Sequence, residues 1–72
     1  MLNYVETKNA PAAIGPYSQG IVVHGLAFFS GQIPLSPETG AVVGDTIEAQ
    51  TEQVMANIRA LLESQGADFT DV

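Results

Sequence analysis

Residues 17–34 read YSQGIVVHGLAFFSGQIP, and the way this stretch divides decides the fold. Tyr17–Val23 and Leu26–Ser30 are rich in the aromatic and β-branched residues that suit a pleated, half-buried surface. His24-Gly25 between them has the length and chemistry of a two-residue hairpin loop, in which glycine supplies the positive φ that the turn demands. The apolar runs are nearly continuous instead of alternating. That predicts strands covered on both faces, by helices on one side and by a partner on the other.

Outward from the hairpin, Leu2–Val5 can form a further short strand. Glu6–Pro16 is a connection, because Pro11 and Pro16 remove backbone donors and bias the preceding residues to extended conformations. Residues 31–44 hold Pro34, Pro37 and the turn PETG, with Val42-Val43 as a short edge strand. A loop of this length in a small domain points towards function. From Asp45 the period changes: Ile47, Thr51, Val54, Met55, Ile58, Leu61 and Leu62 fall three or four apart, the stripe of an amphipathic helix. Asp45 and Glu48 have capping-box spacing and Gly66 is placed to end the helix, which would run about 28 Å at 1.5 Å per residue. Glu52, Asn57, Arg59 and Glu63 lie off the stripe and read as a solvated face. Ala67–Val72, ADFTDV, reads as the lead into a next strand. The order β, ββ, α leaves a sheet edge and a sheet face uncovered, so the predicted class is α+β, with residues 1–72 as the first half of one domain.

Composition narrows the function. The 72 residues are 46% hydrophobic and 14% charged, a globular balance far from disorder. A domain this short usually relies on disulfides, a metal or association. There is no cysteine, and one histidine cannot make a structural metal site, so association or further chain is the expected source of stability. Eight acids against Lys8 and Arg59 give a net charge of −6, which repels phosphate backbones and disfavours nucleic acid as a partner. The N-terminus lacks the basic and apolar regions of a secretory signal, and no apolar run approaches the ~20 residues that span a bilayer. The expectation is a cytoplasmic protein with no membrane partner.

Common catalytic constellations are absent. No G-x-S-x-G elbow surrounds Ser30, no phosphate loop is present, and His24, the one imidazole, sits at the far end of the strand from Ser30. Two stretches remain open to two readings. Tyr17 in GPYSQG is either a packing residue with its hydroxyl in water or a group facing a ligand. Ser30-Gly31-Gln32 is either strand punctuation or the wall of a site. As a wall, Gly31 would let a ligand approach the backbone and offer its N–H to a carboxylate, while Ser30 and Tyr17 would orient a small polar substrate or a water. Phe28 and Phe29 would tie that wall to the interior.

NAPAAIGPYSQG (residues 9–20), SGQIPLSPETG (30–40) and EQVMANIRALLESQGADFTDV (52–72) together resemble the RidA (YjgF-type) family, in order, with the right spacing and over almost the whole chain. The resemblance implies a chorismate-mutase-like sheet backed by helices, of which this chain holds the N-terminal hairpin and first helix. It also implies a homotrimer built around a barrel-like centre, with clefts between subunits. The implied activity is hydrolysis of enamine and imine intermediates, such as 2-aminoacrylate and 2-iminobutanoate, to 2-keto acids and ammonia, without metal or organic cofactor. Tyr17 and Ser30 then match the family's catalytic positions and Gly31 its substrate-contacting backbone. The ligand is a small carboxylate-bearing imine or keto acid. The family's carboxylate-binding arginine and late glutamate have no counterpart in residues 1–72, and Arg59, on the helix, is not that anchor. The chain alone is therefore expected to be inactive and poorly folded. A non-catalytic ligand-binding or regulatory trimer, and less favourably an endoribonuclease or translation inhibitor, are the alternatives.

Overall fold

A computed structural model describes residues 3–15 and 17–72. His24 and Gly25 carry φ angles of 51° and 78°. Two consecutive left-handed residues make a type I′ turn, whose twist matches that of the strands it joins. β2 (Gly20–Val23) and β3 (Leu26–Phe29) fold back on each other as the predicted antiparallel hairpin. β1 (Asn3–Val5) pairs antiparallel with the other edge of β2, so the sheet order is β1-β2-β3. The Leu2 end of the predicted first strand lies outside the described residues.

β2 starts at Gly20, not at Tyr17 as the sequence suggests. The last main-chain bond of the ladder runs from Ser30 N–H to the Gln19 carbonyl at 3.0 Å. The Ser18 carbonyl, which a regular ladder turns away from β3, accepts from the Ser30 hydroxyl at 2.6 Å. Main-chain pairing with β3 ends at Gln19, and Tyr17 and Ser18 lie outside the sheet. β3 correspondingly ends at Phe29.

The register sorts the strands into two faces. Val5, Gly20 and Phe29 stand opposite one another on one face, beside Asn3, Val22 and Ala27. Tyr4, Ile21 and Phe28 form the matching row on the other, followed by Val23 and Leu26. Gly20 is required by contact. A Cβ there would lie 2.5 Å from Phe29 Cδ1 and 3.0 Å from the Phe28 carbonyl oxygen, so the Phe29 ring occupies the space of the missing side chain.

α1 spans Ile47–Ser64. Its N-cap is Thr46, one residue later than the Asp45 that the sequence favours: the extended Thr46 backbone lets its hydroxyl oxygen accept from Ala49 N–H at 3.2 Å. Glu48 still places a negative charge in the first turn, where the helix dipole favours it. At the other end Gly66 N–H donates to the Glu63 carbonyl and Ala67 N–H to the Leu62 carbonyl, with Gly66 at φ 70°. This is a Schellman stop, and it ends the helix where the sequence places the end.

The core is small: Val5, Ala10 and Leu61, with Val22, Phe29 and Ala60 packed on it. Only the C-terminal part of the predicted stripe is buried. Leu61 and Leu62 are inside, while Ile47 is 71% and Met55 45% exposed. The reason is geometric. Strands of three or four residues reach about 13 Å, and a helix of 18 residues is about 27 Å long, so its first turns have no sheet beneath them.

Three further expectations are corrected. Asn57 is not on a solvated face; it is fully buried. Phe28 does not join the interior with Phe29, for it lies on the opposite face and is 56% exposed. Ala67–Val72 does not start a strand: Phe69–Asp71 is a 3₁₀ turn. Asp68 caps it, accepting from the Thr70 hydroxyl and N–H, and these bonds hold its carboxyl below the usual aspartate range. A tight local box of this kind competes successfully with extended backbone. The loop at 31–44 is a miniature hairpin, in which Val42 bridges Leu35, Ser36 N–H meets the Ala41 carbonyl and Val43 N–H meets the Pro34 carbonyl. No helix among the described residues is long and apolar enough to cross a membrane.

Candidate functional site

The end of the hairpin where β2 begins and β3 stops faces a cleft of about 240 Å³. Tyr17, Ser30 and Gly31, the three residues singled out in the sequence, all line it, together with Pro11, Ile33 and Leu35. Tyr17 also borders a broader, open hollow of about 850 Å³ between the Glu6–Ala13 segment and Pro37-Glu38.

The three groups differ in what they can offer. The Tyr17 hydroxyl accepts from Ile14 N–H at 3.3 Å, which leaves its own proton free to donate. The ring is 53% exposed. The Ser30 hydroxyl has already donated its proton to Ser18, so it presents lone pairs only. His24 cannot activate it, because β3 separates the two by about 13 Å. Ser30 is thus an acceptor that orients, not an activated nucleophile. The Gly31 N–H has no acceptor among the described residues. A Cβ at Gly31 would meet nothing within 4 Å, and its φ is not left-handed. Neither strain nor packing among the described residues calls for glycine here, so the space beside its backbone is open.

Sequence reasoning missed the two amides that hold the walls. Gln19 is buried; its Nε2 donates to the carbonyls of Thr7 (3.0 Å), Ala10 (3.2 Å) and Pro11 (2.8 Å), and its Oε1 accepts from Thr7 N–H at 2.6 Å. It ties the Thr7–Pro11 segment to the start of β2. Asn57 does the same on the other side, with Nδ2 donating to the carbonyls of Ile33 (3.1 Å) and Leu35 (3.0 Å). A legible signal existed for Asn57: with Val54, Ile58 and Leu61 it completes an i, i+3, i+4, i+7 set, so it sits in the middle of the stripe. Arg59 stays away from the cleft, its guanidinium 5.7 Å from the centre of the Phe69 ring. No cluster of three or more metal-ligating side chains exists among the described residues.

Residues 7–72 match the sequence profile of the family described as Endoribonuclease L-PSP. The chain belongs to that family, which includes the RidA proteins. Among its members, a protein of Lactococcus lactis named as a candidate regulator, AldR, is 57% identical over 94% of this chain and 54% of its own length. The 2-iminobutanoate/2-iminopropanoate deaminase of Salmonella typhimurium is 44% identical over 100% of this chain and 56% of its own. In structure, the YjgF gene product of Escherichia coli matches with a TM-score of 0.88 at 42% identity, over 96% of this chain and 54% of that one. Escherichia coli TdcF, solved with bound serine, also matches with a TM-score of 0.88, at 38% identity and the same coverage. The chain thus has the Rid/YjgF fold, and it spans about half the length of the curated relatives it matches.

Proposed function

We propose that the protein contributes one wall of a RidA-type site that hydrolyses 2-imino acids to 2-keto acids and ammonium. The observation that carries this reading is that Gly31, whose N–H has no acceptor among the described residues, the donating Tyr17 hydroxyl and the accepting Ser30 oxygen belong to residues lining one small cleft. It is supported by relatives named deaminases.

A protonated imine is already electrophilic, so the reaction needs orientation and a placed water more than a strong nucleophile. Gly31 N–H binds the substrate carboxylate. The iminium N–H donates to Ser30 Oγ, which has lone pairs to spare. Tyr17 holds the water that adds to the imine carbon. Collapse of the resulting carbinolamine breaks the C–N bond, releasing ammonium and leaving the ketone oxygen. The arginine and glutamate that the family resemblance implies match no position in this chain, so the site is complete only with further structure. Homotrimerisation belongs to the same proposal, supported by the apolar row Tyr4, Ile21 and Phe28 on the uncovered sheet face.

The test couples the natural full-length protein to a serine or threonine dehydratase that generates the imine. Keto-acid release is expected to accelerate, and Ser30→Ala to lower kcat/KM about tenfold or more, the usual effect of losing a hydrogen bond to a charged group. An unchanged rate on adding the protein would remove the deaminase reading. The second reading, a ligand-binding regulator, is favoured by the similarity to AldR and predicts that outcome. RNA cleavage is the weakest reading, since Lys8 and Arg59 are the only cations against eight acids.

A further inference from the structure

Asn57 occupies a position where leucine would serve the helix better. It is fully buried in the middle of the stripe, and asparagine costs the helix roughly half a kcal/mol relative to a straight-chain residue. Every polar atom of its side chain is nonetheless used. Its Oδ1 accepts from Gln53 Nε2 at 2.9 Å, one turn back, which turns the NH₂ group towards the loop. That NH₂ takes the carbonyls of Ile33 and Leu35, which flank Pro34 and are drawn together by a Leu35 N–H to Ile33 carbonyl bond of 2.7 Å.

The consequence lies upstream. Ser30 is held at both its N–H and its hydroxyl, by Gln19 and Ser18. Ile33 is held by Asn57. Between these two pins only Gly31 and Gln32 remain, and the Gln32 amide merely folds back onto the Ser30 and Gly31 carbonyls. Gly31 has no side chain to fix its orientation. The direction of its N–H is therefore set by where the chain is anchored at either end.

We propose that Asn57 is a positioning residue: through Ile33 and Leu35 it fixes the course of the chain at Gly31, which lines the cleft, and with it the direction of the Gly31 N–H. The inference rests on the proposed reading of that cleft as a carboxylate-binding site, and the experiment separates the two.

In the natural full-length protein, Asn57→Asp keeps the shape but replaces the two-proton donor with a carboxylate facing two carbonyl oxygens. The variant is expected to raise KM for dehydratase-generated 2-iminobutanoate about tenfold or more, with kcat within about twofold, because the lost contact holds the substrate and transition state alike. Burial against carbonyls raises the pKa of the introduced carboxyl, and its protonated form regains one donor. The ratio of the variant's KM to the parent's therefore falls towards one as pH falls through that raised pKa. Gln53→Leu, which removes the bond to Asn57 Oδ1 and leaves both Asn57 bonds to the loop carbonyls in place, gives a smaller rise in KM and keeps the readout available if Asn57→Asp does not fold. Folded variants with KM within twofold of the parent across the pH range would overturn the proposal. If the parent itself releases no keto acid, the deaminase reading fails and the clamp is judged by amide exchange at residues 31–35. Tenfold faster exchange there, with α1 still protected, supports it, and unchanged exchange overturns it.

Discussion

The two faces of the sheet are made from the same short strands and both carry valine and phenylalanine, yet they have opposite fates. Val5, Val22 and Phe29 pack beneath α1 with Leu61. Tyr4, Leu26 and Phe28, 65%, 62% and 56% exposed, pack beneath nothing. The difference shows that apolar composition in a strand specifies burial without specifying by what. One face is closed by the chain's own helix. The other remains a large apolar patch of the kind that marks an interaction surface.

The covered face gives the largest expected effect. Leu61 is fully buried at the centre of the core, so Leu61→Ala should cost about 2–5 kcal/mol of unfolding free energy. Urea titration followed by circular dichroism measures it. A loss under 1 kcal/mol would mean that the helix–sheet contact is not what stabilises the chain, and the contrast between the faces would collapse.

Gly20→Ala comes next and probes the seam between the faces. The added methyl meets the Phe29 ring on the core side and the Phe28 carbonyl in the neighbouring strand. Phe29 must leave its seat against Val5 and Leu61, at an expected cost of about 1–3 kcal/mol. Since Ser30 and Gly31 follow Phe29 directly, nuclear magnetic resonance shifts at both residues should move as well. Unmoved shifts would show that the cleft wall is independent of the core packing behind it.

The parts of this architecture that were legible in the sequence are those set by local chemistry. His24-Gly25 can hardly be anything but a tight turn, and the stripe ending at Gly66 can hardly be anything but a helix. Convergence of Tyr17, Ser30 and Gly31 on one cleft also followed once the hairpin was placed, because a hairpin brings the start of its first strand beside the end of its second. Long-range polar contacts were not legible. Gln19 reaches back eight to twelve residues and Asn57 more than twenty, and neither distance leaves a periodic trace. Local competition decided the remaining differences. Thr46 caps in place of Asp45 by a one-residue advantage in geometry, and Asp68 closes a 3₁₀ turn where an extended segment was expected.

Phe28→Ser gives the smallest intrinsic effect and the most informative one. On an uncovered face the ring contributes little to folding, so at high dilution the unfolding free energy should match that of the parent within about 0.5 kcal/mol. At high concentration the outcome depends on what covers the face. If copies of the chain cover it, a buried phenylalanine is worth roughly 2 kcal/mol per site. The parent's Tm then rises with concentration, as mass action requires, while the variant's Tm stays flat and its sedimenting mass falls to that of one chain. If the cover is intramolecular, both proteins show a Tm independent of concentration, and the variant is lower by the same amount throughout. The row opposite one another in the register, Tyr4, Ile21 and Phe28, makes the distinction sharp. Tyr4→Ser should reproduce the behaviour of Phe28→Ser, whereas a substitution on the covered face should lower Tm equally at every concentration.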